Sequence, residues 1–443
     1  MIRKLLFVLL PILVLVSGCH KHSFNKPRLD SLLVTLNAHE QNMGSIAIAD
    51  NGTIVYQNAF GYSRVNGTIK TPANIHTKYR VGSITKMFTA VMIFQLIEEG
   101  KLTLTTTLAK YYPQLPNASK ITIAQMLSHH SGLHNFTADS GYVKYMGKPK
   151  SETEMTAIFA KQKADFEPGI KAAYSNTNFV LLGYIIEKIT GKSYPEELKE
   201  RITTKIGLED TYYGTKTDPL NNEAYSYNYI SGWSQVPETD MSIPGGAGAI
   251  IASPTDLVHF IDALFAGKLI SNANLEHMKL MKDNFGMAMF IFPFDDKTGY
   301  GHDGGIDGFL SQLIYFPADK LSVAYAANGL RYPTDEIVMD ALSIYYNKPF
   351  AMPEFKSVEL KSADLDKYLG NYTSAKMPLK IAITKNKTTL IGQATGQSAY
   401  PLEARGNDKF VLDLAGVSLR FDTVKHTFYY FQNGETYLFT RVK

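Results

Sequence analysis

Cysteine is almost missing from this chain: one residue, Cys19, stands among 443, and tryptophan also occurs once. A lone cysteine excludes an intrachain disulfide, so the fold must hold by core packing. Excess charge of either sign is missing too. Charged residues make up 19% and the net charge is +4. With lysines scattered among acids rather than gathered into a stripe, neither nucleic acid nor an acidic polymer is indicated as a partner. There is no internal repeat and no low-complexity tract. What remains is an ordinary globular composition, 45% hydrophobic, long enough for two or three domains with a full core.

The only long apolar run, Leu5 to Val16, follows Arg3 and Lys4 in "MIRKLLFVLLPILVLVSGCHKH". It is too short to span a bilayer and has the charge, core and small-residue order of a secretory signal. "VSGC" resembles the bacterial lipobox, which implies removal of residues 1–18 and a lipid anchor on Cys19. The expected product is an exported, membrane-anchored bacterial lipoprotein, on the periplasmic face or the cell surface, with residues 19–28 as a tether. The competing reading is a plain signal cut nearby, with Cys19 incidental.

Leu29, Leu32, Leu33 and Leu36 predict a helix from Arg28 to about Gln41. "GSIAIAD" and "TIVYQNAFGYS", joined by Asn51-Gly52, predict a hairpin. A mostly helical middle runs to about residue 270. Strand signals return in "FGMAMFIF", "FLSQLIYF" and "LSVAYAA", with Pro317-Ala318-Asp319-Lys320 as a turn, and a helix follows over Thr334 to Tyr346. Strands at both ends around a helical middle suggest an α/β (α+β) domain over 29–348, a mixed sheet flanked by helices with an all-helical insertion. After a proline-bearing linker, 349–361, the alternating runs of 362–443 and the Asn433-Gly434 turn predict a small antiparallel β-barrel.

Three short segments carry chemistry. In "RVGSITKMFTAVMIFQLIEEGKL", Ser83 opens a helix and Lys86 follows one turn later on the same face, while the helix beyond is apolar nearly all round. A buried amine with a lowered pKa can accept the proton of Ser83. The same spacing at Ser23 and Lys26 falls in the tether and is accidental. In "FEPGIKAAYSNTNFVLL", Tyr174 and Asn176 stand at another helix start, from which both side chains could reach one cleft. Beside a lysine ammonium, Tyr174 would form a coupled acid–base pair with Lys86. In "DKTGYGHDGGIDGFLSQLIYF", Lys297-Thr298-Gly299 is read as a hairpin turn and His302-Asp303-Gly304-Gly305 as the functional stretch, because its glycines allow close approach of substrate to the strand.

Taken in order, Ser83-x-x-Lys86, Tyr174-x-Asn176 and His302-x-Gly304 resemble the three motifs of the serine β-lactamase and penicillin-binding protein superfamily. The resemblance is to the branch of class C β-lactamases, D-alanyl-D-alanine carboxypeptidases, D-aminopeptidases and related esterases. It covers about residues 30 to 347, including "ITIAQMLSHHSGL" and "GHDGGIDGF". The tail is similar to the lipocalin-like domain often appended to such enzymes.

The resemblance implies that Ser83 is the acylated nucleophile, Lys86 its proton acceptor and Tyr174 the base of acylation and the acid towards the leaving group. Asn176, His302, Gly304 and Gly305 would bind substrate, with the N–H groups of Ser83 and Gly305 as the oxyanion hole. His302 stands where β-lactamases usually have lysine and is mostly neutral at pH 7, which favours peptide or ester hydrolysis over β-lactam hydrolysis. The expectation is a serine hydrolase without metal or cofactor, acting on a small peptide, ester or cell-wall-derived substrate. The alternatives are a penicillin-binding receptor or sensor with little turnover and a true β-lactamase. His129, His130 and His134 are read as loop packing rather than a metal site. "GGAGAII" is read as a tight turn before a helix capped at Ser253.

Overall fold

The computed structural model describes residues 24–442 except 231, 356, 357, 359, 413, 414, 433 and 434. The leader, Cys19 and the Asn433-Gly434 turn lie outside the described residues.

Six strands form the antiparallel path of the main sheet. They are β1 (Asn42–Asp50), β2 (Thr53–Phe60), β3 (Phe290–Phe294), β4 (Lys297–Ile306), β5 (Phe309–Phe316) and β6 (Leu321–Leu330), in the spatial order β3-β4-β5-β6-β1-β2. The N-terminal hairpin therefore joins the C-terminal meander through β1 and β6, in a register that pairs Ile46 with Tyr325 and Ile48 with Val323. The turn between β1 and β2 is Asn51-Gly52, both at positive φ, as the dipeptide predicts. Lys297-Thr298-Gly299 departs from expectation. These residues open β4 and pair with β3, and Lys297 meets Asp319 at 2.9 Å.

Strand alternation gives the sheet two apolar faces. Ile46, Ile48, Val323 and Tyr325 meet helices α1 (Lys26–Ala38) and α5 (Thr334–Tyr345). Helix α1 ends before the predicted boundary because Glu40 takes a left-handed conformation, φ 49°, which a continuing helix cannot hold. Ala47, Ala49, Leu313 and Ala324 face the other way, onto a larger core built from α2 (Thr85–Glu98), α3 (Asn176–Thr190) and α4 (Pro254–Phe265). Helix α2 is enclosed on all sides, with every residue from Thr85 to Leu96 buried. Phe88 stacks on Phe260 of α4 with ring centroids 3.7 Å apart. Each large apolar side chain buried there contributes roughly 1.5–3 kcal/mol, so this helix is a fixed post. The middle of the chain is not purely helical: Tyr79–Arg80, Tyr212–Tyr213 and Ile250–Ala252 form a small sheet of their own.

Eight consecutive antiparallel strands between Gly370 and Arg441 close into a barrel. Its interior packs Tyr368, Tyr372, Phe410, Phe421, Phe428 and Phe439. An ion pair between Arg331 and Glu403 ties it to the end of β6. A cavity of about 490 Å³ runs from the barrel wall at Ile381, Leu402 and Leu419 to the 307–310 turn of the main sheet.

Candidate active site

Ser83 lies in a single 3₁₀ turn, Gly82–Ile84, that runs directly into α2. Lys86 sits in the first turn of α2 with no solvent exposure. Its Nζ lies 2.9 Å from Ser83 Oγ, 2.8 Å from Asn176 Oδ1 and 2.7 Å from the Ala247 carbonyl oxygen. The rings of Tyr174 and Phe179 close over it, at 4.9 and 5.6 Å from Nζ. Burial pushes this amine well below the ordinary lysine value, and the carboxylate charge of Asp303 opposes the shift without cancelling it. In the uncharged form that burial favours, the amine has two N–H groups and one lone pair. The two donors go to Asn176 and Ala247, which leaves the lone pair for the hydroxyl proton of Ser83.

Tyr174 lies just before α3 and donates its hydroxyl to Ser83 Oγ at 2.6 Å. Burial raises its pKa, and the hydrogen bond to Ser83 offsets only part of that. The coupled acid–base pair expected from an adjacent ammonium is therefore not the resting arrangement. Burial outweighs the Ser83 contact and holds Tyr174 as a phenol, and with Lys86 in its uncharged form the proton order is Tyr174 to Ser83 to Lys86.

His129 does more than pack a loop. Its ring stacks on Tyr174 with centroids 4.4 Å apart. Its Nδ1 accepts the N–H of Ser175 at 3.1 Å, and its carbonyl accepts the N–H of Ala173, so both sides of the tyrosine are held. His129→Ala is expected to lower kcat about 10- to 100-fold with little change in KM, and His129→Gln to recover part of the loss. Steady-state kinetics at matched far-UV circular dichroism checks this.

The third segment crosses the cleft on β4. Here Val81 to Ser83 pack directly on Gly304 and Gly305. A Cβ on Gly304 would stand 2.0 Å from the Val81 carbonyl oxygen and 3.1 Å from Ser83 N, and one on Gly82, at φ +51°, would stand 2.8 Å from Gly305 N. Only glycines allow this approach, which brings the backbone at Ser83 and Gly305 together in the cleft lining. The cleft has a volume of about 390 Å³ and is lined by Ser83, Tyr174, Phe285, Phe290, Asp303, Gly304 and Gly305.

Two residues expected to bind substrate are not in that lining. His302 is 1% exposed, packs edge-on against Phe290 and sends Nδ1 to the Asp303 carbonyl at 2.5 Å. Burial lowers its pKa, so it stays neutral. Alternation along β4 turns Asp303 to the cleft instead, with its side chain 68% exposed. Asn176 accepts from Lys86 through Oδ1 and donates one N–H of Nδ2 to Thr137 at 3.1 Å, which leaves its second N–H without a protein acceptor among these bonds.

The Beta-lactamase family model matches residues 29–346. The chain belongs to the beta-lactamase family. It is 26% identical over 435 residues to penicillin-binding protein 4* of Bacillus subtilis, covering 89% of this chain and 93% of that one. It is 27% identical over 293 residues to teichoic acid D-alanine hydrolase of Staphylococcus aureus, covering 64% and 70%. Among solved structures, the D-amino acid amidase of Ochrobactrum anthropi complexed with L-phenylalanine superposes with a TM-score of 0.65 at 25% identity, covering 73% of this chain and 98% of that one. The protein is a serine hydrolase of the beta-lactamase family, with an eight-stranded antiparallel barrel behind it.

Around this family site the structure adds a brace that no short motif announces. Arg80 and Asp307 have side chains 2% and 1% exposed and meet at 2.9 Å. Arg80 also binds Glu238 at 2.7 Å and the Thr239 carbonyl at 2.8 Å, and Asp307 accepts the N–H and hydroxyl of Thr239. The segment leading to Ser83 is thereby tied to the turn that follows Gly305. The histidines nearby have carboxylate partners: His130 with Asp283, and His134 with Asp165 and with Asp139, five residues on. Among the described residues no group of three or more histidine, cysteine or acidic side chains is placed to hold a metal ion.

Proposed function

We propose that the protein hydrolyses ester or amide bonds of D-amino acids of the cell-wall type through an acyl-enzyme on Ser83. The observation that carries this reading is the Ser83 hydroxyl held between a buried uncharged amine, Lys86, and a neutral phenol, Tyr174. In acylation, Ser83 Oγ attacks the carbonyl carbon and its proton passes to Lys86. The oxyanion forms against the N–H groups of Ser83 and Gly305, where pre-placed donors stabilise charge as it develops. The bond to the leaving group breaks as Tyr174 gives it a proton, and the lysine ammonium then restores the phenol. Water reverses the sequence in deacylation. The D-alanyl and D-amino acid substrates are supported by the names of the Staphylococcus hydrolase and the Ochrobactrum amidase. The leader reading supports an exported, lipid-anchored placement through Cys19.

Intact-mass measurement after incubation with an activated D-alanine ester or a penicillin is expected to show one adduct, mapped to Ser83. An adduct of equal yield on Ser83→Ala removes the mechanism. Among paired substrates, D-alanine esters and amides are expected to exceed their L counterparts by at least about tenfold in kcat/KM.

A further inference from the structure

The cleft holds one charge, and it is negative. Of its lining residues Ser83, Tyr174, Phe285, Phe290, Gly304 and Gly305 carry none, which leaves Asp303. The groups close enough to balance that carboxylate do not. Burial favours the uncharged forms of both Lys86 and His302, and the contact from His302 Nδ1, 3.5 Å from Asp303 Oδ1, holds that carboxyl below its ordinary value as a hydrogen bond from a neutral ring rather than as a cation. Asp303 also directly precedes the glycine that packs on Ser83 N, one residue step of about 3.4 Å along the strand. A carboxylate in that position, beside apolar walls from Phe285 and Phe290, lacks only a cation.

We propose that Asp303 is a specificity-determining residue that receives an ammonium group carried by the substrate close to the scissile carbonyl. This inference rests on the acyl-enzyme reading above and narrows its substrate class. The substrate is an amino acid ester or amide whose amine is free, and molecules with a free carboxylate at that point are disfavoured by like-charge contact. The ammonium belongs either to the acyl part, as in a D-alanine ester, or to the leaving group, as in a 2-aminoethyl ester. Both place one positive charge within a few bonds of the carbonyl that Ser83 attacks. Blocking the amine removes the charge and keeps the reacting bond.

The test is the ratio of kcat/KM for a free-amine ester to that of its N-acetyl derivative, in full-length wild type and in Asp303→Asn and Asp303→Lys. One arm uses D-alanine phenyl ester and the other uses 2-aminoethyl acetate, so that the source of the ammonium is read separately. A charge-assisted contact of this kind gives roughly a 10- to 100-fold preference for the free amine in at least one arm. Asp303→Asn is expected to bring the ratio to within about threefold of unity. Asp303→Lys is expected to reverse it and to speed acylation by a penicillin, which carries a carboxylate. A wild-type ratio near unity in both arms overturns the inference, as does a preference that survives Asp303→Asn. If Ser83 is acylated by both members of a pair with a ratio near one, the inference fails alone. If neither ester gives an adduct on Ser83, the acyl-enzyme reading fails and takes this inference with it.

Discussion

Lys86→Met is expected to lower the acylation rate by about 10²- to 10⁴-fold, the range that a positioned proton acceptor supplies. Methionine keeps the length and fills the space under Tyr174 and Phe179, so the loss reports the missing lone pair rather than a hole in the core. A second readout comes from stability against pH. In the unfolded chain this lysine keeps its proton up to about pH 10.5, whereas in the folded protein burial strips it well below that. Between those two values the unfolded state binds more protons, so this residue makes the wild type more stable as pH rises, by up to about 1.4 kcal/mol per pH unit. The methionine variant lacks that slope. Urea denaturation from neutrality upward should therefore show the wild type gaining on the variant, and parallel curves would mean that the folded lysine is charged and the proton order wrong.

Asp307→Ala is expected to cost about 3–5 kcal/mol of stability, the usual consequence of leaving one partner of a buried ion pair alone. Arg80 would keep Glu238 but lose its contact on the opposite side. Thr239 would lose the acceptor of both its N–H and its hydroxyl. The denaturation midpoint should fall accordingly, and kcat should fall with it, because the turn that follows Gly305 would no longer be tied to the Ser83 segment. Pairing the change with Arg80→Met should recover part of the stability, since the fully buried charge is removed and Glu238, 21% exposed, keeps solvent and the Thr217 N–H. A double variant as unstable as Asp307→Ala would show that the pair contributes through shape alone.

How much of this could be read from the chain depends on distance along it. Ser83 and Lys86 are one helical turn apart, and Tyr174 and Asn176 share a helix start, so their grouping follows from local geometry, as do the Asn51-Gly52 hairpin and the alternating strands of the barrel. The placement of His302 and Asp303 does not. On a strand only one of two neighbours can face a given side, and which one depends on pairing with β5, where His302 stands opposite Leu313 and Asp303 opposite Gln312. Lys297 lies in a strand rather than a turn for a related reason, because the turn falls at Asp295 and Asp296 and leaves the lysine paired with Phe294. The Ala247 carbonyl carries no side-chain signature at all. Arg80, Glu238 and Asp307 are separated by 158 and 227 positions from their partner, a spacing at which composition says nothing about contact. His129 gave no signal because its work is done by a ring face and a backbone amide.

The seam where β1 meets β6 joins the two ends of the catalytic domain. Ser83 belongs to the first quarter of the polypeptide, yet the ribbon that must lie beside it is anchored in a sheet that is sealed only when residues 321–330 return to lie along residues 42–50. Closing so long a loop is entropically costly and slow. Lys86 and Tyr174 reach Ser83 from the helical core, so what depends on that seam is the placing of Gly304 and Gly305 beside it.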